Sequence, residues 1–234
     1  MIPFATTAPC HRSPVVAMSL IVLNIAVFFY QEGLGERAEY AFVTTFALIP
    51  AVYGNPAAAR DAGLDPANLL PLISNTFLHG GYLHLIVNMW TLWLFGLPVE
   101  DRLGPARFAA LYLGCGAAGS LAHLAFNLSS QVPALGASGA IAGVLGAFVW
   151  IYPRAKVAAV VPIIIIPWIF HLPAILYAGV WFLIQIVEGW GSLGADPMSG
   201  GIAWWAHIGG FAAGLALAIG FHARPSAVRG QWQR

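Results

Sequence analysis

The chain has 234 residues, of which 59% are hydrophobic and only 8% are charged. An ordinary globular domain carries about 25% charged residues, and the mean hydropathy here is +0.78. This composition excludes a water-soluble globular fold and predicts an all-α protein that crosses a membrane several times. The net charge of +1 argues against a nucleic-acid partner.

Six stretches are long and apolar enough to be predicted as membrane-spanning helices, which need about 20 apolar residues each. The segment between the fourth and fifth stretches is also apolar, but prolines interrupt it; it reads KVAAVVPIIIIPWIFHLP. Because proline disrupts helix interiors, we predict an interfacial or re-entrant piece there, not a seventh span. The membrane domain then covers residues 14–222, between an N-terminal tail (1–13) and a C-terminal tail (223–234). The six spans are predicted at 14–30, 82–98, 106–127, 135–152, 173–190 and 204–222.

The positions of the basic residues predict an orientation. With the N-terminus inside, Arg37 and Arg60 alone among the 10 lysines and arginines lie outside, a clear positive-inside bias. Both termini are therefore expected in the cytoplasm, with the protein in the inner (plasma) membrane. The long first loop, about 31–81, then lies outside, and spans two, four and six all begin at the outer face.

Polar side chains occur near the starts of those three spans. Span two carries His84 and Asn88, which share one helical face, and spans four and six carry Ser138 and His207. Polar residues are costly within a membrane and by default indicate a functional site in the bundle interior.

Together these residues can perform acyl transfer. Ser138 is a candidate nucleophile and His207 the base that takes its proton. Ser138 is expected in the first turn of its helix, so that its backbone N–H is free to stabilise an oxyanion, with His84 and Asn88 as further donors. We predict a Ser–His dyad, because the spans contain no nearby acid. We expect no metal and no cofactor.

Small residues in spans four and six predict that these two helices pack closely, as a Ser138–His207 hydrogen bond requires. Ridges of small residues permit such an approach. The glycines expected to pack near the site are Gly136, Gly139, Gly143, Gly210 and Gly214.

The same residues allow three other interpretations. Ser138 taken alone is better explained as a helix-packing serine, and it is the combination with His207 that favours chemistry. The hydrolase elbow G-x-S-x-G is incomplete, because Ala140 occupies the position of its last glycine. A metal or proton pathway through His79, His84 and His207 would normally include a buried carboxylate. None joins these histidines, because Glu188, at the end of span five, is assigned to the last outer loop.

Three motifs resemble those of the rhomboid intramembrane serine proteases. These are GASG at 136–139, AHIGGFAAG at 206–214 and HGGYLHLIVN at 79–88. The resemblance extends over about residues 14–222 and implies a six-helix bundle with Ser138 as nucleophile and His207 as base. It also implies that His84 and Asn88 are oxyanion donors, and that substrate helices enter between spans two and five.

The sequence departs from the rhomboid pattern at two places. Leu70-Pro71 stands where many members have a Trp-Arg pair in the first loop. Ala142 stands where some members have an aromatic residue that stacks on the histidine. We therefore expect packing against Gly139 and Gly143 to orient His207.

The function expected from these features is intramembrane serine endopeptidase activity on transmembrane proteins, with cleavage near the outer face. The partners are then transmembrane substrates and the lipid bilayer, and the oligomeric state stays open. The alternatives are a catalytically silent rhomboid-like binding protein and, with less support, a histidine-based transporter.

Overall fold

The computed structural model describes residues 2–163, 166–193 and 202–223, so nearly all of the predicted C-terminal tail lies outside the described residues. Most of the described chain is helical. A short 3₁₀ turn, Asn75–Phe77, precedes the second span, and a π-helical stretch, Leu92–Gly96, joins two α-helices into the continuous helix Tyr82–Leu103. The α-helices are α1 (Val15–Glu32), α2 (Glu36–Phe46), α3 (Pro50–Gly54), α4 (Pro56–Asp61), α5 (Pro71–Ser74), α6 (Tyr82–Thr91), α7 (Leu97–Leu103), α8 (Pro105–Phe126), α9 (Ser138–Ile151), α10 (Ala174–Gly191) and α11 (Trp204–Gly220).

The six predicted spans correspond to six apolar helices of the structure. Four are long and apolar enough to cross a membrane by length and composition: α1, the continuous helix α6–α7, α8 and α10. The other two, α9 and α11, are apolar but shorter, with 14 and 17 residues. The prediction of a mostly helical, multi-span membrane fold is therefore confirmed, and the helix ends lie within a few residues of the predicted ones.

A small antiparallel sheet is the part of the fold that the all-α prediction missed. Its strands are β1 (Ile2–Thr6), β2 (Lys156–Ile163) and β3 (Ile166–Pro173), in the order β1-β2-β3. The proline-interrupted segment is thus a β-hairpin, and part of the predicted N-terminal tail is a strand paired with it. Valine and isoleucine favour strands, and the prolines at 162 and 167 face each other beyond the residues that pair with β1, where proline costs fewest ladder hydrogen bonds.

Helix α9 forms the centre of the bundle and packs against α8 and α11, which also pack against each other. Most of its residues are buried. A methyl group at Gly210 would collide with the backbone carbonyl of Gly139, and one at Gly214 would collide with that of Gly143. Only glycine at 210 and 214 allows the two backbones to touch in this way, and this contact brings the start of α9 beside the start of α11.

Helix α10 lies at the edge of the bundle and exposes most of its apolar side chains. Its buried residues are few and include Tyr177, Ala178, Gln185 and Gly189. The exposed residues form the surface expected to face lipid; they include Ile175, Leu176, Val180, Leu183, Ile184, Ile186 and Val187.

One carboxylate is buried in a membrane-spanning helix, which corrects the prediction that none would be. Glu100 in α7 is only 3% exposed and accepts hydrogen bonds from the backbone N–H groups of Val16 (2.9 Å) and Ala17 (2.6 Å). A negative charge there stabilises the N-terminus of α1. Glu100 follows His84 by 16 residues, or about 24 Å along a helix, so it does not complete a pathway with the predicted site histidines.

Candidate active site

The first loop fixes the segment that leads into Ser138. Leu48 and Ala134 exchange two backbone hydrogen bonds (3.0 and 2.8 Å), and the N–H of Gly136 donates to the carbonyl of Asn75 (2.9 Å). The buried Asn75 amide donates in turn to Ser120 Oγ (2.8 Å) and to the carbonyl of Pro71. Asn75 thus ties the first loop to α8 and to the Ser138 segment in a chain that lacks the Trp-Arg pair.

Ser138 is the first residue of α9. The N–H groups of a first helical turn have no intrahelical acceptor, so the Ser138 N–H is available as a donor. Its side-chain Oγ lies 2.8 Å from Nε2 of His207, which is buried near the start of α11. The two atoms are therefore within the distance that proton transfer requires.

The other ring nitrogen of His207 has a partner that the sequence analysis missed. Nδ1 lies 2.7 Å from Oε1 of Gln185 in α10, so the pair has a third member and is not the bare dyad expected. The expected orienting glycines contact other groups: Gly139 lies against Ala206, and Gly143 against Cys115 and Gly210. The signal in the sequence is the position of Gln185, a polar residue within an apolar span, and the dyad prediction rests on the absence of acids alone.

Two tryptophans flank the His207 ring. The Trp181 ring centroid is 5.9 Å away with the planes tilted by 34°, and the Trp204 centroid is 6.2 Å away with the planes nearly perpendicular at 88°. Such aromatic pairs restrict ring motion. They provide aromatic contacts to the histidine although Ala142 offers none.

The structure brings His84 and Asn88 against Gly136, two residues before Ser138. A methyl group at Gly136 would come within 2.7 Å of the His84 ring and 3.7 Å of Asn88 Nδ2, and the φ of Gly136 is +130°, which favours glycine. Asn88 Nδ2 also lies 3.0 Å from Nε2 of the fully buried His79. An amide nitrogen carries two protons, so Asn88 can bind His79 and still offer a second donor.

Two further histidines, His123 and His171, are not part of the predicted site. The Asn127 amide donates to the carbonyl of His123 (2.8 Å) at the end of α8, and His171 is an exposed residue of β3. Within residues 2–163, 166–193 and 202–223, no group of three or more His, Cys, Asp or Glu side chains is arranged to hold a metal ion.

A cavity beside Ser138 gives the site room for water. Its lining includes the polar residues Asn75, Thr76 and Ser120 together with Ser138 and Ala206. Polar groups are the partners that water in a protein cavity needs. The arrangement can therefore place a nucleophile, a base, oxyanion donors and a hydrolytic water within one small region.

The fold and these residues define a polytopic helical membrane protein with a serine and a histidine in contact inside the bundle. Comparison with known proteins agrees: the Rhomboid domain model matches residues 66–224, more than half of the chain. The chain belongs to the rhomboid family.

Several curated relatives are similar to this chain. Rhomboid protein 1, mitochondrial, of Saccharomyces cerevisiae is 33% identical over 84% of this chain and 50% of its own length. RHOMBOID-like protein 4 of Arabidopsis thaliana is 34% identical over 66% of this chain and 34% of its own. Rhomboid protease GluP of Bacillus subtilis is 33% identical over 60% of this chain and 25% of its own. The chain thus spans half or less of the length of these relatives.

Proposed function

We propose that this protein is an intramembrane serine endopeptidase that cleaves transmembrane proteins. The single observation that carries the proposal is the 2.8 Å contact between Ser138 Oγ and His207 Nε2, because a serine becomes nucleophilic when a base can take its proton. The relative named Rhomboid protease GluP supports the same assignment.

In the proposed reaction, Ser138 Oγ attacks the scissile carbonyl carbon while its proton passes to His207 Nε2. The carbonyl electron pair moves to the oxygen, and the Ser138 N–H, His84 and Asn88 stabilise the resulting oxyanion. His207 then gives its proton to the leaving amine, which leaves an acyl-serine. Water then attacks the ester carbon while His207 Nε2 takes a proton from it. The bond between the acyl carbon and Ser138 Oγ breaks, His207 returns the proton to Oγ, and the carboxylic acid leaves.

We further propose that cleavage occurs near the outer face of a plasma membrane, with both termini of this chain in the cytoplasm. The positive-inside bias of the sequence supports this orientation. A helical substrate hides its peptide bonds in backbone hydrogen bonds, so substrates with small or helix-breaking residues near the cut are expected to be preferred.

The first experiment measures whether Ser138 is activated. Purified protein in detergent and in lipid is treated with a fluorophosphonate probe, beside Ser138→Ala and His207→Ala and the control variants Ser19→Ala and His11→Ala. We expect labelling of the wild type and both controls, and at least a 100-fold loss in the two site variants. Absence of wild-type labelling in both environments would refute the protease proposal and favour a binding protein on the same fold.

A second experiment tests the substrate class. Two single-span substrates are compared, one with a glycine pair near its outer end and one with leucine at every position of the span. Faster cleavage of the first, abolished by Ser138→Ala, is expected; equal cleavage of both would contradict the proposed preference.

A further inference from the structure

Gln185 lies in an otherwise strongly apolar stretch of α10 and is almost fully buried, with 4% of its surface exposed. Its neighbours in sequence, Ile184 and Ile186, are on the exposed surface. A buried amide in a membrane is costly unless its polar atoms are paired. Both ends of the Gln185 amide are paired, and one of the two partners is His207.

The partners of Gln185 fix which way its amide points. Gln185 Nε2 donates to the backbone carbonyl of Trp181, one helical turn earlier, at 3.2 Å. A backbone carbonyl can only accept a hydrogen bond, so the nitrogen of the amide must face Trp181. The oxygen must therefore face His207, where it lies 2.7 Å from Nδ1.

This direction determines where the histidine carries its proton. An amide oxygen only accepts, so Nδ1 of His207 must be the protonated nitrogen of the neutral ring, and Nε2 must hold the free electron pair. Nε2 is the atom 2.8 Å from Ser138 Oγ. The hydrogen bonds then run from the Ser138 hydroxyl to Nε2, from Nδ1–H to Gln185, and from Gln185 to the carbonyl of Trp181.

We propose that Gln185 is a positioning residue for His207, holding it in the Nδ1–H tautomer so that Nε2 can accept the Ser138 proton. The proposal rests on the proposed function and adds to it the third group of the hydrogen-bonded chain. Gln185 keeps its own protons throughout: Nε2 of His207 gains the serine proton, and Nδ1–H remains bonded to the amide oxygen. A neutral amide performs this task without the desolvation cost of a second buried charge.

The test combines kinetics with a signal that does not depend on turnover. Gln185→Met keeps the length and bulk of the side chain and removes the acceptor, and Ile219→Met on the exposed surface of α11 is the control. Wild type and both variants are prepared in lipid with ¹⁵N-labelled histidine rings, and His207→Ala identifies the His207 signals. The kcat and KM for a cleaved transmembrane substrate are measured on the same preparations.

We expect the wild type and Ile219→Met to show the Nδ1–H tautomer of His207. In Gln185→Met we expect that signature to be lost and kcat to fall by about 10- to 100-fold. KM should change by less than about two-fold, because the buried Gln185 side chain presents almost no surface to a substrate. A Gln185→Met protein with wild-type kcat and an unchanged Nδ1–H signal would overturn the proposal. An Nε2–H tautomer in the wild type would overturn it even if Gln185→Met failed to fold.

The positioning role of Gln185 and the protease assignment can be refuted separately. Wild-type protein with the Nδ1–H signature and no Ser138-dependent cleavage would refute the proposed function and leave the Gln185 contact intact. Ser138-dependent cleavage with a wild-type-like Gln185→Met would refute the positioning role and leave the protease assignment intact.

Discussion

The two halves of the candidate site are held by different kinds of contact. Ser138 begins a buried helix whose backbone touches that of α11 at Gly139–Gly210 and Gly143–Gly214. Gln185 lies on α10, a helix with most of its apolar surface exposed, and reaches His207 through one side-chain hydrogen bond. Ser138 is thus held by close-packed backbone, whereas the His207 ring is held through the Gln185 amide of a peripheral helix.

This difference indicates which changes act on folding and which act on chemistry. Close packing without voids transmits any added volume as strain, so substitutions between α9 and α11 should reduce stability first. A lost hydrogen bond on α10 removes little packing, so it should reduce catalysis first. Three substitutions test this contrast, and a labelling experiment then tests the orientation of the protein.

The largest effect is expected for Gly214→Ala. Its methyl group would meet backbone atoms of Gly143, which cannot move aside, and we expect a loss of about 3 kcal/mol. At about 2–4 °C for each kcal/mol, the unfolding temperature in detergent should fall by about 6–12 °C, together with probe labelling. Gly179→Ala on α10, where nothing lies within 4 Å, is the control and should stay within about 1 kcal/mol of wild type. Equal losses in the two variants would contradict the contrast.

Gly136→Ala should reduce activity more than stability. A side chain at φ +130° is strained by about 1–3 kcal/mol, and the methyl group would displace the His84 ring from the position beside the Ser138 segment. We expect probe labelling to slow by at least about 10-fold, measured at equal folded fraction. Gly80→Ala, whose methyl group would make only a 3.4 Å contact with Leu135, should label at nearly the wild-type rate. Unchanged labelling of Gly136→Ala would argue against a role for His84.

Glu100→Gln tests how much a buried polar contact at the start of α1 contributes to the free energy of unfolding. Glu100 accepts from two N–H groups at the start of α1, and an amide oxygen replaces only part of this interaction without its charge. We expect a loss of about 1–2 kcal/mol in thermal unfolding and normal probe labelling of the folded protein. Asp101→Asn, which changes an exposed acceptor for the N–H of Arg12, should cost less than about 0.5 kcal/mol.

The last experiment leaves the sequence unchanged and uses the native cysteines to determine the orientation of the protein in the membrane. Cys10 is exposed and Cys115 is buried, so a membrane-impermeant maleimide should label one thiol, and only from the cytoplasmic side. Partial burial, with the carboxylates of Asp101 and Glu100, raises the pKa of the Cys10 thiol. The reactive thiolate is therefore scarcer at neutral pH, and labelling should accelerate as the pH rises above neutrality. Labelling from outside in intact cells would reverse the proposed orientation.

Much of the fold and the candidate residues could be predicted because a membrane leaves few options. Helices must satisfy their backbone groups internally, so hydropathy alone located six apolar helices. Polar residues in such helices are rare enough that Ser138 and His207 were conspicuous, and the glycines at 210 and 214 indicated close helix packing before any contact was known.

Only the tertiary structure decided the partners that come from distant parts of the chain. The sheet joins Ile2 to Val160, and no local pattern specifies a pairing over that separation. Gln185 carries no charge and forms no motif with His207, so its role depends on how α10 is placed beside α11. The sequence determined which residues must be buried in the membrane, because burial follows from composition along each helix. The tertiary structure determined which of them meet, because hydrogen bonds depend on positions in space to within a fraction of an ångström.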